Sequence, residues 1–239
     1  MSPDQPVRTA RGGPQRIPRP PRWRPGRRAP WAHLPAADRS VHLDEIERVL
    51  AERGPGRLRL DRPPPTATTR RSAVLVPLYE QHGQTHVVLT RRSPQLRSHT
   101  WEVSFPGGRA DDGESPWQTA LREAHEEIAL DPATVRPIGE LDRFVTVGSR
   151  SLVHPVVGAL PERPRLTPEP AEVDQILHVP LAELLADDVF REELWPIGDR
   201  ERAITFFELH GNTVWGATAA MLRQLLTLAL RVEDDVFLG

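Results

Sequence analysis

The sequence predicts an α/β fold in which helices cover both faces of a mixed β-sheet. Two observations lead to this class. Short apolar runs with the character of strands recur between residues 72 and 209. Two substantial helices, at 115–130 and 215–232, are interleaved with these runs, and such a mixture favours layers of helix and sheet. The length of 239 residues suits one large domain, or one domain with appendages.

The N-terminal segment 1–36 is rich in proline and arginine. It is predicted to be a disordered tail, because this composition buries too little apolar surface to offset the entropy lost on ordering. It lacks the apolar centre of a secretion signal, and its prolines oppose the amphipathic helix of a mitochondrial presequence. The alternative is a weak contact of its arginines with an anion or nucleic acid, although nucleic acid is not the partner we expect.

A short amphipathic helix is predicted over 41–54. Leu43, Ile46 and Leu50 recur there at helical spacing, and Gly54 follows as a stop signal. The proline-rich stretch 61–70 is typical of a linker. The predicted organisation is a tail at 1–36, a short helix and linker at 37–69, the main domain at 70–234 and a C-terminal end at 235–239.

Strand-like runs open the main domain. "SAVLVPLYE" (72–80) and "THVVLTRR" (85–92) flank the turn "QHGQ" and predict a hairpin. Further strand-like runs lie at 135–144, 152–160, 175–181 and 202–209.

The helix predicted over 115–130 begins with good start signals, since Ser115 suits the N-cap and Pro116 the first helical position. At about 100° per residue, its apolar side chains fall on one arc that can pack into a core. The neighbouring arc carries the carboxylates of Glu123, Glu126 and Glu127. Like charges at this spacing cost a helix roughly 0.2–0.5 kcal/mol per pair. One interpretation is a solvated acidic face. The other is a site for a hard cation such as Mg²⁺ or Mn²⁺, which prefers oxygen ligands.

The residues around this acidic helix carry a family resemblance. The segment resembles the Nudix box, G-x5-E-x7-R-E-U-x-E-E-x-G-U, in which U is a bulky aliphatic residue. The matching positions are Gly108, Glu114, Arg122, Glu123, Glu126, Glu127 and Leu130. Ala124 replaces the first bulky aliphatic residue, and Ala129 replaces the last glycine. Alanine tolerates left-handed backbone less well than glycine, so we expect an adjusted exit in which Asp131 and Pro132 end the helix.

The resemblance implies a Nudix fold, an α/β/α sandwich, and hydrolysis of a diphosphate by metal-activated water. It implies that Glu123 and Glu127 bind the metal, with Glu126 as a third ligand or a base. Glu114 would assist from the loop, and Arg122 would orient the carboxylates through a salt bridge. The cofactor expected on this basis is Mg²⁺ or Mn²⁺.

The stretch before the box is similar to the signature of the coenzyme A diphosphatase branch of this family, L-L-T-x-R-[SA]-x3-R-x3-G-x3-F-P-G-G. The matching positions are Leu89, Thr90, Arg92, Ser93, Arg97, Phe105, Pro106, Gly107 and Gly108. Trp101 stands where the pattern has glycine. It either fills space that glycine leaves for the ligand or stacks on adenine, and the sequence does not choose between these.

This resemblance implies a substrate site formed by Arg92, Arg97, Gly107, Gly108 and Trp101. Arginines there would pair with phosphates. Arg91 and His99 are further candidates beside them, each weighed against an ordinary surface role. Glu172, far along the chain, matches a position of the branch and is a candidate base or a support for the metal ligands.

Three functions remain in competition. The first is a diphosphatase that cleaves coenzyme A or its derivatives to 3',5'-ADP and a 4'-phosphopantetheine product. The second is hydrolysis of another nucleoside diphosphate conjugate, such as NADH or ADP-ribose. The third is a Nudix-fold binding module without catalysis, which would not need to keep mutually repelling carboxylates.

Composition adds limits. The formal net charge of -2 and the 38% of hydrophobic residues suit a soluble globular protein, and no apolar run approaches a membrane span. The absence of cysteine excludes disulfides and thiolate metal sites and is compatible with the reducing cytoplasm, where we expect the protein. The expected partner is a small nucleoside diphosphate, and the oligomeric state stays open, with a homodimer among the alternatives.

Overall fold

The structure is a computed structural model that describes residues 11–59, 64–66, 68–96, 100–146, 150–198 and 200–234. The helices within them are α1 (Leu43–Arg53), α2 (Pro116–Ile128), α3 (Leu181–Leu184) and α4 (Gly216–Ala229). The strands are β1 (Arg24–Pro25), β2 (Arg70–Gln81), β3 (Gln84–Arg92), β4 (Val103–Ser104), β5 (Gly107–Arg109), β6 (Arg136–Glu140), β7 (Phe144–Val145), β8 (Ser151–Ala159), β9 (Val173–Pro180), β10 (Phe190–Ile197), β11 (Arg200–Leu209) and β12 (Asn212–Trp215). Short 3-10 helices lie at Ala36–Asp38 and Pro132–Thr134.

The main sheet is mixed, as predicted. Its strands follow the order β4-β3-β2-β8-β6, and β5 pairs with β2, β7 with β8 and β9 with β3. The central strands β2 and β8 run parallel, with Leu75 opposite Val156. The other pairs in this sheet are antiparallel.

Helices cover both faces of this sheet, which confirms the predicted sandwich. Side chains alternate along β2, because successive residues of a strand point to opposite faces. Leu75 packs on one face in a cluster with Ala124 of α2. Val76 packs on the other face in a cluster with Ile46 of α1 and Leu225 of α4.

A second, antiparallel sheet has the order β1-β10-β11-β12. The run 202–209, predicted as a strand, lies in β11 and so belongs to this sheet instead of the main one. Phe207 and Val214 bury their side chains in the same cluster as α4. The second sheet therefore covers the core on the side of α1 and α4.

The predicted disordered tail is wrong for residues 11–36, while residues 1–10 lie outside the described residues. Trp31 is fully buried, with its ring 5.4 Å from that of Phe190 and stacked 6.4 Å from that of Phe207. The average composition of the segment did not reveal that this one aromatic side chain enters the core.

Arginines of the same segment neutralise buried carboxylates of β10. Nη2 of Arg19 lies 2.6 Å from Oε1 of Glu193, and the backbone amide of Arg27 donates to Oε1 of Glu192 at 2.8 Å. Both glutamates are almost fully buried. Each glutamate also has a partner within the domain, Arg223 for Glu192 and Arg191 for Glu193, so the arginines of the segment add to an existing buried charge network.

The short helix predicted over 41–54 forms as α1, and its buried face includes Ile46, Val49 and Leu50. Ile46 and Leu50 belong to the large core cluster, so α1 packs as part of the sandwich and not as an appendage before it. Residues 60–63 and 67 of the predicted linker lie outside the described residues, and the domain boundaries stay a prediction. Within the described part of the chain, no helix is long and apolar enough to cross a membrane.

Candidate active site

Helix α2 presents the acidic residues, and its start forms as predicted. The Ser115 hydroxyl accepts a hydrogen bond from the Gln118 amide at 3.3 Å, and Oε1 of Gln118 accepts from the Ser115 amide at 2.9 Å. This reciprocal capping box, followed by Pro116, fixes the first turn. Ala120 and Ala124 are fully buried against the sheet. Their small side chains let the helix backbone approach the strands closely.

The end of α2 differs from the expected adjusted exit. Ala129 itself adopts the left-handed conformation, with φ 53° and ψ 31°, and caps the helix. Its amide donates to the carbonyl oxygen of His125 at 2.9 Å. Ala129 therefore adopts the left-handed conformation that favours glycine, at the energetic cost that a Cβ carries there.

Arg122 joins the acidic residues. It donates through Nε to Glu114 Oε1 at 2.9 Å, and through Nη1 to Glu123 Oε1 at 3.0 Å and Glu126 Oε2 at 3.1 Å. Hydrogen bonding to Arg122 lowers the pKa of Glu114 to about 2. The guanidinium therefore offsets the repulsion between these carboxylates and sets their directions.

Glu127 is the buried member of the set, with 5% of its surface exposed. Burial raises the pKa of Glu127 to about 8, and the hydrogen bond from Gly107 and the charge of Arg92 only partly oppose this. Burial also raises the pKa of Glu123. The neighbouring positive charges, Arg122 at Glu123 and Arg92 at Glu127, therefore do not fully offset the cost of burying the two ionised carboxylates.

The glycine pair of β5 lies directly beside these carboxylates. Gly107 has φ 153°, and its amide donates to Glu127 Oε2 at 3.2 Å. A Cβ at position 107 would overlap the Ala73 carbonyl, and one at position 108 would overlap the Glu123 carboxylate. Glycine at position 107 is thus required for the close approach of β5 to β2, and a side chain at position 108 would displace the Glu123 carboxylate.

Arg92 and Glu172 reach the acidic residues from β3 and from the turn before β9. Their charges act on Glu127 in opposite directions, since Arg92 lowers its pKa and Glu172 raises it. The Ser93 amide donates to the Glu172 carbonyl at 2.8 Å, which holds the two segments together. Nε of Arg92 is buried without a hydrogen-bond partner. The structure thus brings the predicted Arg92 and Glu172 to the acidic helix.

The backbone conformation of Trp101 explains why the related signature has glycine at this position. Its φ is 65°, in the left-handed region, and its amide donates to the Arg92 carbonyl at 3.2 Å. Its ring lies 5.1 Å from the guanidinium carbon of Arg91. The glycine of the pattern is therefore explained by backbone conformation. This explanation requires neither space for a ligand at this position nor stacking of Trp101 on adenine.

Arg91 is already engaged within the protein. Its Nε donates to Asp174 Oδ2 at 2.8 Å and its Nη1 to Asn212 Oδ1 at 3.1 Å. It therefore fastens β3 to β9 and β12, which is a structural use that sequence reasoning did not predict. The predicted Arg97 and the candidate His99 lie outside the described residues.

The donor set suits a hard divalent cation. Glu123 and Glu127 supply carboxylate oxygens, the only ligand type among these residues, and a bound cation would favour the ionised form of both. Among the described residues, no group of three or more acidic, histidine or cysteine side chains is arranged so that it could hold a metal ion without other ligands. Glu126 instead turns toward Arg122, with 57% of its side chain exposed. Waters and substrate phosphate usually complete such sites.

Comparison with known proteins identifies the family. A family model described as the NUDIX domain matches residues 69–199. The uncharacterized Nudix hydrolase NudL of Photorhabdus laumondii is 37% identical over 174 residues, which are 71% of this chain and 92% of that protein. Nudix hydrolase 22, chloroplastic, of Arabidopsis thaliana is 36% identical over 167 residues, which are 66% of this chain and 55% of that protein. The chain belongs to the Nudix hydrolase family, whose members generally require divalent metal cations.

Among solved structures, that of a Nudix hydrolase from M. smegmatis, RenU, is similar to 48% of this chain and 73% of its own, with a TM-score of 0.41 and 21% sequence identity.

Proposed function

We propose that this Nudix hydrolase cleaves the diphosphate of coenzyme A or its derivatives to 3',5'-ADP and a 4'-phosphopantetheine product. The observation that supports metal-dependent hydrolysis is the position of Glu127. Its carboxylate is buried beside Glu123, and burial raises its pKa to about 8. A binding module gains nothing from such a costly carboxylate, whereas a metal-dependent hydrolase needs it as a cation ligand.

In the proposed mechanism, Glu123 and Glu127 would hold Mg²⁺ or Mn²⁺, and Glu126 would serve as a third ligand or as a base. The bound cation would neutralise phosphate charge and lower the pKa of a bound water. Arg122 keeps Glu114 and Glu123 in their directions through the hydrogen bonds at 2.9 and 3.0 Å. The protein therefore provides the acidic ligands in nearly fixed positions before substrate binds.

The neighbouring strands supply the groups proposed for the phosphates. Arg92 carries a buried Nε without a protein partner and lies near Glu127, which suits a contact with a phosphate oxygen. Arg97 is proposed as a second phosphate contact from its place in the signature. Gly107 and Gly108 let the backbone come close to the ligand. Glu172 is proposed as a base or as a support for the metal ligands.

Coenzyme A is preferred among diphosphates because of the signature that precedes the box. The departure at Trp101 weakens this assignment only if glycine there makes room for substrate. The left-handed φ of 65° at Trp101 gives glycine another role, which is conformational. The rest of the signature therefore supports coenzyme A without a conflict at this position.

The test is a comparison of kcat/KM for coenzyme A, dephospho-coenzyme A, NADH and ADP-ribose in the presence of Mn²⁺, with products identified by mass spectrometry. We expect coenzyme A to have the highest value and to give 3',5'-ADP. A higher value for NADH or ADP-ribose would replace the proposed substrate while keeping the reaction class. Binding of these compounds without hydrolysis would favour a binding module and overturn the proposal.

A further inference from the structure

Gln15 lies between Trp101, in the segment that follows β3, and the second sheet. Its Nε2 donates to the carbonyl oxygen of Trp101 at 2.8 Å, and its Oε1 accepts from the Thr213 amide at 3.1 Å. Gly13, two residues earlier, donates through its amide to Oγ1 of Thr213 at 3.2 Å. A single side-chain amide therefore connects β12 to the peptide that follows Trp101.

That peptide is one that needs support. A residue other than glycine is strained in the left-handed region, and it persists there where its surroundings hold it. Trp101 has φ 65°. Its amide is held by the Arg92 carbonyl at 3.2 Å and its carbonyl by Gln15. The two sides of the strained residue are thus fixed by different segments of the chain.

Trp101 is linked to the acidic helix through Arg92. The Arg92 amide donates to the Glu102 carbonyl at 2.9 Å, so Trp101 and the residue that follows it both bond to the backbone of Arg92. The side chain of Arg92 lies beside Glu127, as described above. A shift of Trp101 would therefore move the backbone that carries Arg92 relative to α2.

We propose that Gln15 is a positioning residue that holds Trp101 in its left-handed conformation and thereby fixes Arg92 beside the acidic helix. This inference rests on the proposed function, because it takes Arg92 as a phosphate contact. It gives the N-terminal segment a role in substrate binding, although this segment precedes the family domain in sequence. In a chain with glycine at position 101, the left-handed conformation would not need this hydrogen bond from Gln15.

The first test uses steady-state kinetics on coenzyme A. Gln15→Ala removes both hydrogen bonds of the side chain and should lower kcat/KM about three- to tenfold, mainly through KM, because Arg92 is proposed to bind substrate and supplies no reacting group. Gln15→Glu keeps the acceptor for Thr213 and loses the donor to Trp101, so it should resemble Gln15→Ala. A Gln15→Glu variant with wild-type KM would contradict the positioning role of Gln15.

The second test is a double-mutant cycle with Trp101→Gly. Glycine adopts positive φ without help, so Gln15→Ala should change kcat/KM less than twofold in the Trp101→Gly background. An equal loss in both backgrounds would show that Gln15 acts without Trp101, which would overturn the proposal.

The third test does not depend on catalysis. Hydrogen exchange followed by NMR should show faster exchange of the Trp101 amide in Gln15→Ala than in the wild type. Arg24→Ala is the control, since it removes the contact of Arg24 with Glu201 in the same segment and should leave this amide unchanged. If the wild type failed to hydrolyse coenzyme A, the proposed function would be wrong. The exchange of this amide would still show whether Gln15 holds Trp101. Unchanged exchange in Gln15→Ala, or equal acceleration in Arg24→Ala, would refute this role.

Discussion

The backbone amide of Gly107 donates a hydrogen bond to Oε2 of Glu127 at 3.2 Å. This contact joins the glycine pair of β5 to the most deeply buried carboxylate of α2. One neutral donor does not compensate for the burial of a negative charge, and the pKa of Glu127 rises to about 8. The metal-free protein therefore holds a carboxylate that is suited to a cation and destabilising without one.

Glu127→Gln should lower kcat by orders of magnitude while the fold stays intact. Glutamine keeps the size of the side chain and an oxygen for the Gly107 amide, but it removes the negative ligand. Steady-state rates at saturating metal, together with urea unfolding of the metal-free protein, would measure both effects. Turnover close to that of the wild type would remove Glu127 from the catalytic set.

The contribution of Glu127 to the stability of the metal-free protein should fall as pH rises from about 4.5 toward about 8. The pKa of Glu127 is about 8 in the folded state against a reference value of 4.5, so the folded state binds more protons across this window. The contribution of this carboxylate then decreases with pH, because such a contribution rises only where the unfolded state binds more protons. The opposite shift at Glu114, to about 2, acts at lower pH. Burial lowers the pKa of His178 to about 4 and also lowers the pKa of His154, and these two groups act in the opposite direction within the window, so the contribution of Glu127 is measured against a variant that lacks it.

Urea unfolding in a chelator at several pH values would measure this slope. Glu127→Gln is the matched variant, since it cannot titrate at this position. The difference between the unfolding free energies of the two proteins should change across the window. A constant difference would contradict the raised pKa.

Ala129→Gly should stabilise the protein by about 1 kcal/mol, because glycine adopts left-handed backbone without the strain of a Cβ. The φ of Ala129 is 53°. Ala133, in the exposed 3-10 helix Pro132–Thr134, is the control, and glycine there should destabilise by about 0.5–1 kcal/mol. Urea unfolding midpoints would separate the two. Destabilisation of both variants would show that the left-handed cap carries no strain.

Trp31→Ala should destabilise the protein by about 3–5 kcal/mol, since it empties a fully buried site beside Phe190 and Phe207. Trp23, in the same segment and 36% exposed, is the matched control, and alanine there should cost about 1 kcal/mol or less. Thermal unfolding would compare them. Equal, small effects would mean that residues 11–36 do not pack on the domain in solution, as the composition alone predicted.

Local signals in the sequence were sufficient for the sandwich and for α2. The spacing of Ala120, Ala124 and Ile128 placed them on the buried face, and the cap at Ser115 placed the start of the helix. Both features depend on neighbours in sequence, where helical periodicity and capping chemistry apply directly. The same reasoning placed the three glutamates beside one another on the adjacent arc.

Features that depend on distant partners could not be read in this way. Gln15 and Trp101 are far apart in the chain, and no spacing rule connects them. Trp31 and Arg19 lie in a segment whose composition indicates disorder, and their partners lie in the second sheet. The left-handed backbone at Trp101 and Ala129 was also missed, because position in a motif indicates glycine without showing that another residue adopts its conformation.

The account depends most on the acidic helix being the cation site of a diphosphatase, and one measurement tests this directly. Coenzyme A hydrolysis by the full chain is followed by mass spectrometry, first in EDTA and then after titration with Mg²⁺ or Mn²⁺. We predict no hydrolysis in the chelator and, on addition of either metal, formation of 3',5'-ADP and 4'-phosphopantetheine in equal amounts. Full activity in EDTA would contradict the account.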